Sequence, residues 1–244
     1  MADGDRRHRI LELLVGRSAT GLETSRLSEV CTEVTGLTGA GIMLMSGDVL
    51  RGSLCTTNSV SALIEQLQYT FGEGPCVDAH RFDRAVFEPD LQNPATPRWP
   101  AFSGPAIDAG VRGVFGFPLQ VGAVRLGALD LYCDRPGPLT SDQLADALIL
   151  ADVAAQAVLV LQANALPGQL AAELETGSDF LYVVHQASGM VAVQLNVSVG
   201  QALIRLRAHA FAANQTVNDV ATAVVARNLN LADHDRNEQR PAAD

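Results

Sequence analysis

Near the start of the chain Ile10, Leu11, Leu13, Leu14 and Val15 recur at helical spacing, which predicts a short amphipathic helix over residues 5–17. Gly21 separates it from a second helical pattern, Leu22 to Leu37. The period then shortens. Ala40–Ser46 and Val49–Thr56 are apolar runs around Gly47-Asp48, the pattern of a β-hairpin. A helix follows over Ser59–Tyr69, with Asn58 or Ser59 as its N-cap and Gly72 beyond its end. Gly72-Glu73-Gly74-Pro75 interrupts the pattern, and Pro89, Pro94, Pro97, Pro100 and Pro105 predict a loop with short helical turns. Val111–Val121 and Arg125–Cys133 predict two further strands joined at Gly122-Ala123. In the first of these, Val111, Gly113, Phe115, Phe117, Leu119 and Val121 share one face.

From Ser141 to about Ala165 the period is helical again, and the apolar residues go nearly all round. Such a helix must be covered on several sides. One side can lie on its own sheet; a second copy of the same helix is the simplest cover for the other, through Leu148, Ala151, Ala155 and Val158. Asp146, Asp152, Gln156 and Gln162 interrupt the segment and make it a poor membrane span. Pro167-Gly168 ends it, residues 169–230 read as helices, and 232–244 form a polar tail.

Composition narrows the function. The 244 residues are 48% hydrophobic and carry a formal net charge of −10, enough for a large core and repulsive to nucleic acid as a whole. A nucleic-acid role therefore needs a local patch. Residues 178–230 hold Arg205, Arg207 and Arg227 against Asp179 and Asp219, leaving a small positive excess where the rest is acidic. Every basic residue is Arg, a compositional bias shared with the abundant Ala. Cys31, Cys55, Cys76 and Cys133 are irregularly spaced and read as reduced thiols. No basic-then-apolar leader opens the chain, so a cytoplasmic location is expected. No GxSxG, HExxH, P-loop or GxGxxG pattern is present, and no enzymatic activity, catalytic residue or cofactor is expected. Cys76 and His80 are four apart, the spacing of a metal pair or a Cys-His couple, but no further ligands stand at suitable spacing, so no metal site is expected.

Two resemblances organise these observations. The segments His185-Gln186-Ala187-Ser188-Gly189-Met190, Gln201 to Ala210 and Asp219 to Arg227 resemble an ANTAR domain in order and spacing. The resemblance implies a three-helix unit that binds tandem small hairpins in nascent RNA and prevents transcription termination. Residues 22–162, through the Gly72-Glu73-Gly74-Pro75-Cys76 loop and the order of elements, resemble a GAF domain, a mixed α/β sensor with a central antiparallel sheet. The pairing of the two is of actinobacterial type. The expected plan is an N-terminal helix (1–21), a GAF sensor domain (22–165) ending in a dimerisation helix, a linker (166–177), an all-α ANTAR domain (178–231) and a disordered tail (232–244).

The expected RNA contacts are His185, Gln186, Ser188, Arg205, Arg207, His209 and Arg227, with Asn214 and Gln215 in the connection to the last helix, where they either meet loop bases or serve the turn itself. A helical wheel puts Leu203, Leu206 and Ala210 in the core, with Arg207 close to them and Arg205 and His209 opposite. Gly189 suits a close crossing of two helices. Ser188 and Gln215 are uncharged where many ANTAR domains carry a Lys and a basic residue. In the sensor, strand parity and the Pro-rich segment as a lid suggest a small-molecule pocket among Met43, Leu54, Phe71, Phe87, Phe115 and Phe117. Asp130 and Tyr132 share one parity and either face solvent or line that pocket. The expected function is a ligand-modulated, homodimeric RNA-binding antiterminator, with neither DNA nor membrane as a partner. The alternative is a small-molecule- or protein-binding sensor or adaptor dimer that has lost RNA binding.

Overall fold

A computed structural model describes residues 3–15, 24–46, 49–163, 179–213 and 215–232. Two compact units divide at Ser178 and Asp179. The expected linker, tail and Gly47-Asp48 turn, and Asn214, lie outside the described residues.

The first unit is built on a five-stranded antiparallel sheet of order β2-β1-β5-β4-β3. Its strands are β1 (Gly39–Ser46), β2 (Val49–Thr56), β3 (Val86–Glu88), β4 (Gly113–Val121) and β5 (Val124–Cys133). Helices α1 (Asp3–Val15), α2 (Thr24–Thr35) and α6 (Ser141–Ala163) cover one face. Helices α3 (Ser59–Phe71) and α4 (Pro75–Phe82) lie on the strands from the other side, and α5 (Pro100–Asp108) packs on α3. Period-two alternation sorts the strand residues between the faces. Ala40, Ile42, Leu44, Phe115, Phe117, Leu119, Leu129 and Leu131 join the core under α1, α2 and α6.

Helix α3 has the predicted caps. Asn58 accepts from the Ser61 amide while Ser61 accepts from the Asn58 amide, and Gly72 closes the far end at φ 66°. Helix α5, by contrast, fills part of the segment expected to be mostly loop. Trp99, at its start, is itself in the left-handed region and offers no side-chain cap. Glu73 Oε1 takes that role across the fold, accepting from the Ala101 and Phe102 amides at 2.6 and 3.1 Å. The Trp99 indole donates to Asp78 at 2.8 Å, which straps α5 to α4.

The cover of α6 is a correction to the sequence reading. Ala151, Ala155 and Val158 are buried within their own unit, Val158 to 3% exposure, against α1, α2 and the sheet. They are not free to meet a second chain. Of the four residues assigned to a dimer face, only Leu148 is open, at 51%. Three of the polar residues that interrupt α6, Asp146, Asp152 and Gln156, are anchors for α1. Arg6 pairs with Asp142 and, at 2.9 Å, with Asp146, while Arg7 pairs with Asp152 and bonds Gln156 at 2.9 Å. By length and hydropathy α6 could cross a bilayer, yet half of it is buried in the protein, as in a core helix.

The second unit contains α7 (Asp179–Leu195), α8 (Val199–Ala212) and α9 (Val217–Val225). Val184, Ala187 and Val191 of α7 meet Ala202, Leu206 and Ala210 of α8 and Val217, Val220, Ala221 and Val224 of α9 in its core. Capping boxes at Ser198/Gln201 and Thr216/Asp219 set the starts of α8 and α9. Leu203 is only half-buried, so Ala202 completes the inner face of α8. A Cβ added at Gly189 would touch nothing, so no close helix crossing depends on that glycine.

Candidate functional site

The distinctive polar feature of the first unit lies beneath α3 and α4. Strand register aligns Thr56, Gly41, Asp130, Gly116 and Val86 in one row across all five strands. Asp130, on the central strand, is thus flanked by two glycines. Their missing side chains form a notch on either side of the acid. A Cβ at Gly41 would lie 2.4 Å from Glu65 Oε1, and one at Gly116 would lie 2.5 Å from the Pro75 carbonyl oxygen. Glu65 descends from α3 over the first glycine, and the start of α4 descends over the second.

Three potential ligand atoms converge there. A Glu65 oxygen, Cys76 Sγ and an Asp130 oxygen all lie within 4.8 Å of one another, and all three residues are buried. Gln68 fixes the geometry: its amide N–H donates to Asp130 Oδ2, and its Oε1 accepts from the Cys76 amide at 2.8 Å. Both oxygens of Glu65, which is 1% exposed, and Oδ1 of Asp130, which is 4% exposed, have no hydrogen-bond partner. As carboxylates both groups only accept, so something positive or a proton must stand between them. Burial, then the charge of Asp130, pushes the Glu65 carboxyl well up from its usual range; burial raises Asp130 to about 6. Burial, with Asp130 and Glu65 beside it, likewise drives the Cys76 thiol well up. The start of a helix ordinarily favours thiolate, but here desolvation and the two acids outweigh it.

A sequence profile of the GAF domain matches residues 23–159, more than half of the chain. The chain belongs to the GAF domain family. GAF domains are ligand-binding sensor modules, so the first unit is a sensor domain. No curated protein matches the sequence. Solved structures similar to this GAF chain include the GAF domain of a phosphoenolpyruvate-protein phosphotransferase from Coxiella burnetii, at 16% identity, covering 66% of this chain and 95% of that one with a TM-score of 0.49. The type II free methionine-R-sulfoxide reductase from Thermoplasma acidophilum matches at 16% identity, covering 55% and 90%, with a TM-score of 0.42. The chromophore-binding domain of a bacteriophytochrome from R. palustris matches at 9% identity, covering 66% and 63%, with a TM-score of 0.47.

The expected pocket residues of the GAF domain do not line one cavity. Leu54, Phe115 and Phe117 belong to the α1/α2/α6 core, because their parity sends them through the sheet. Met43 is buried on the Asp130 side of β1, and Phe71 is half-buried at the end of α3. Phe87 stacks edge-on with Phe115 and borders a cleft of about 500 Å³ with Glu88, Asp90 and Arg98, beside the Pro-rich segment. Asp130 and Tyr132 do not face solvent: both are buried, and the Tyr132 hydroxyl donates to Asn58 Oδ1 at 3.0 Å.

Glu65 and Gln68 escaped the sequence reading. Their signal is a polar stripe, Ser61-Glu65-Gln68, at helical spacing among Ile64, Leu67 and Tyr69. Cys76 and His80 both turn inward on α4, but the groups that close on Cys76 come from α3 and β5.

In the second unit, His185, Gln186, Arg205, Gln215 and Arg227 are exposed, and Arg207 and His209 are half-buried. Ser188 is a correction. It is buried, and its hydroxyl donates to the Val184 carbonyl at 2.7 Å, one turn back in α7, so it does not face an RNA.

Proposed function

We propose that this chain is a cytoplasmic regulator, without enzymatic activity, in which the GAF unit senses a small ligand and the C-terminal unit acts as an ANTAR-type RNA-binding module. It would bind paired hairpins in nascent RNA and oppose termination. The observation that carries this reading is the placement of the polar residues expected to meet RNA. His185, Gln186, Arg205, Gln215 and Arg227 all stand on the outside of a three-helix unit whose apolar residues point inward. Phosphate contacts need such exposed cations, and unpaired loop bases need such amides and imidazoles.

Arg205→Ala is expected to leave the melting temperature unchanged and to weaken binding to a two-hairpin RNA. Loss of one phosphate contact should also make the log–log salt slope shallower by roughly one unit. Filter binding at several salt concentrations reads both effects. Wild-type protein that binds such RNA no better than an unstructured control would overturn the proposal.

A second reading has its own support. Tyr182, Val193, Val199, Ile204 and Phe211 are exposed apolar residues of the same unit, Val193 at 84%. Exposed apolar side chains in such number suit protein contact, as in an adaptor or a dimer. Light scattering over a concentration series, with and without RNA, separates these readings.

A further inference from the structure

We propose that Glu65, Cys76 and Asp130 form a binding site for one divalent cation of the zinc class, and that this ion is what the GAF unit senses. The second clause rests on the sensor reading above; the first stands on the geometry.

The site is sized for a single atom. Ligand atoms around a tetrahedral zinc are separated by roughly 3.3–3.8 Å, given metal–oxygen and metal–sulfur distances near 2.0 and 2.3 Å. The three atoms here already lie within 4.8 Å of one another, so small side-chain rotations close the set. An organic ligand at the same place has no room. The backbone of α4 rests so close to Gly116 that one added carbon there overlaps the Pro75 carbonyl, and the Glu65 side chain fills the space over Gly41.

Charge gives the second reason. Two carboxylates and a thiol are buried together, and three of the four carboxylate oxygens lack a donor. A buried anion without a partner is costly, and a cation held by one oxygen of each carboxylate and by the sulfur offsets that charge. The donor set selects the ion. One sulfur and two oxygens suit a borderline metal with a fourth position for solvent, whereas magnesium and calcium demand more oxygens than converge here. Gln68 orients the set, tying the α4 backbone to Asp130 as outer partners of metal ligands do. Binding displaces the Cys76 proton to solvent and leaves thiolate on the metal.

The test uses the full chain, freed of metal by chelator and titrated with cobalt(II). The expected result is one cobalt per chain, a near-ultraviolet thiolate-to-cobalt absorption, and displacement by zinc. Cys76→Ser is expected to abolish that absorption, while Cys31, Cys55 and Cys133 serve as internal controls. Glu65→Gln and Asp130→Asn should weaken binding at least about tenfold, the loss already typical of outer partners. Melting curves show that each variant is folded. Absence of the absorption in wild type, or its survival in folded Cys76→Ser, overturns the proposal in favour of a proton shared by the two acids. RNA titrations with and without zinc form a separate arm. Metal binding without RNA binding removes the antiterminator reading alone; RNA binding without metal binding removes the ion site alone.

Discussion

Asp130→Asn should raise the thermal stability of the chelator-treated protein at pH 7, and the gain should disappear at pH 4. Asp130 is buried, and its carboxyl is raised from about 4 to about 6 chiefly by desolvation. A carboxyl with a raised folded value holds its proton more tightly in the folded than in the unfolded chain. Its contribution is therefore fully present below the unfolded value and is lost as pH climbs through about 6. At pH 7 ionised Asp130 then costs on the order of 2–3 kcal/mol relative to a neutral group of the same shape. Asparagine removes that cost. Its carbonyl can accept from Gln68, and its amide can donate to Glu65, which otherwise lacks a donor. Melting both proteins from pH 4 to 8 isolates the effect, because groups common to both cancel in the difference. A variant less stable than wild type at pH 7 would show that Asp130 is already compensated in the metal-free fold.

Gly116→Ala is expected to have an effect of similar size and opposite sign, about 2–3 kcal/mol of lost stability. The added carbon would lie 2.5 Å from the Pro75 carbonyl oxygen and 3.1 Å from the Cys76 amide nitrogen. Both are backbone atoms, so no rotamer change relieves the overlap and α4 must retreat from the sheet. Gly189→Ala is the control. It sits inside α7 with nothing within 4 Å of the new carbon, and helix propensity predicts a gain of roughly 0.5–1 kcal/mol. Urea unfolding of the two variants beside wild type gives both differences. Equal stabilities for Gly116→Ala and wild type would mean that α4 does not rest on the sheet as described.

Local signals in the chain carried most of the elements. Asn58 and Gly72 marked both ends of α3, and alternation placed β4 and β5 to within about two residues. Helix α4 and strand β3 were not legible. The first has eight residues and begins on a proline after two glycines, where local rules see only a break; the second has three residues. The candidate site was hidden for a different reason. Asp130 meets Glu65 and Cys76 only because register sets it between Gly41 and Gly116, and register is a long-range property. The cover of α6 was misread because periodicity shows that a helix needs partners without showing which. Here α1 and α2 supply them from the same chain. At Ser188 a polar residue type suggested an outer face, but the hydroxyl satisfies itself within α7.

Asp130 sits on a strand whose neighbours have a separate destination. Leu129 and Leu131 emerge on the opposite face and enter the core that α6 closes. The acidic cluster and the long helix are therefore separated by the thickness of one β-strand. That strand is hydrogen-bonded on both edges, to β1 and to β4, and cannot swing aside. It can only slide or twist with its neighbours, and such a movement shifts both faces together. Any displacement of the Asp130 backbone is thus shared at once by Leu129 and Leu131 on the α6 side of the sheet.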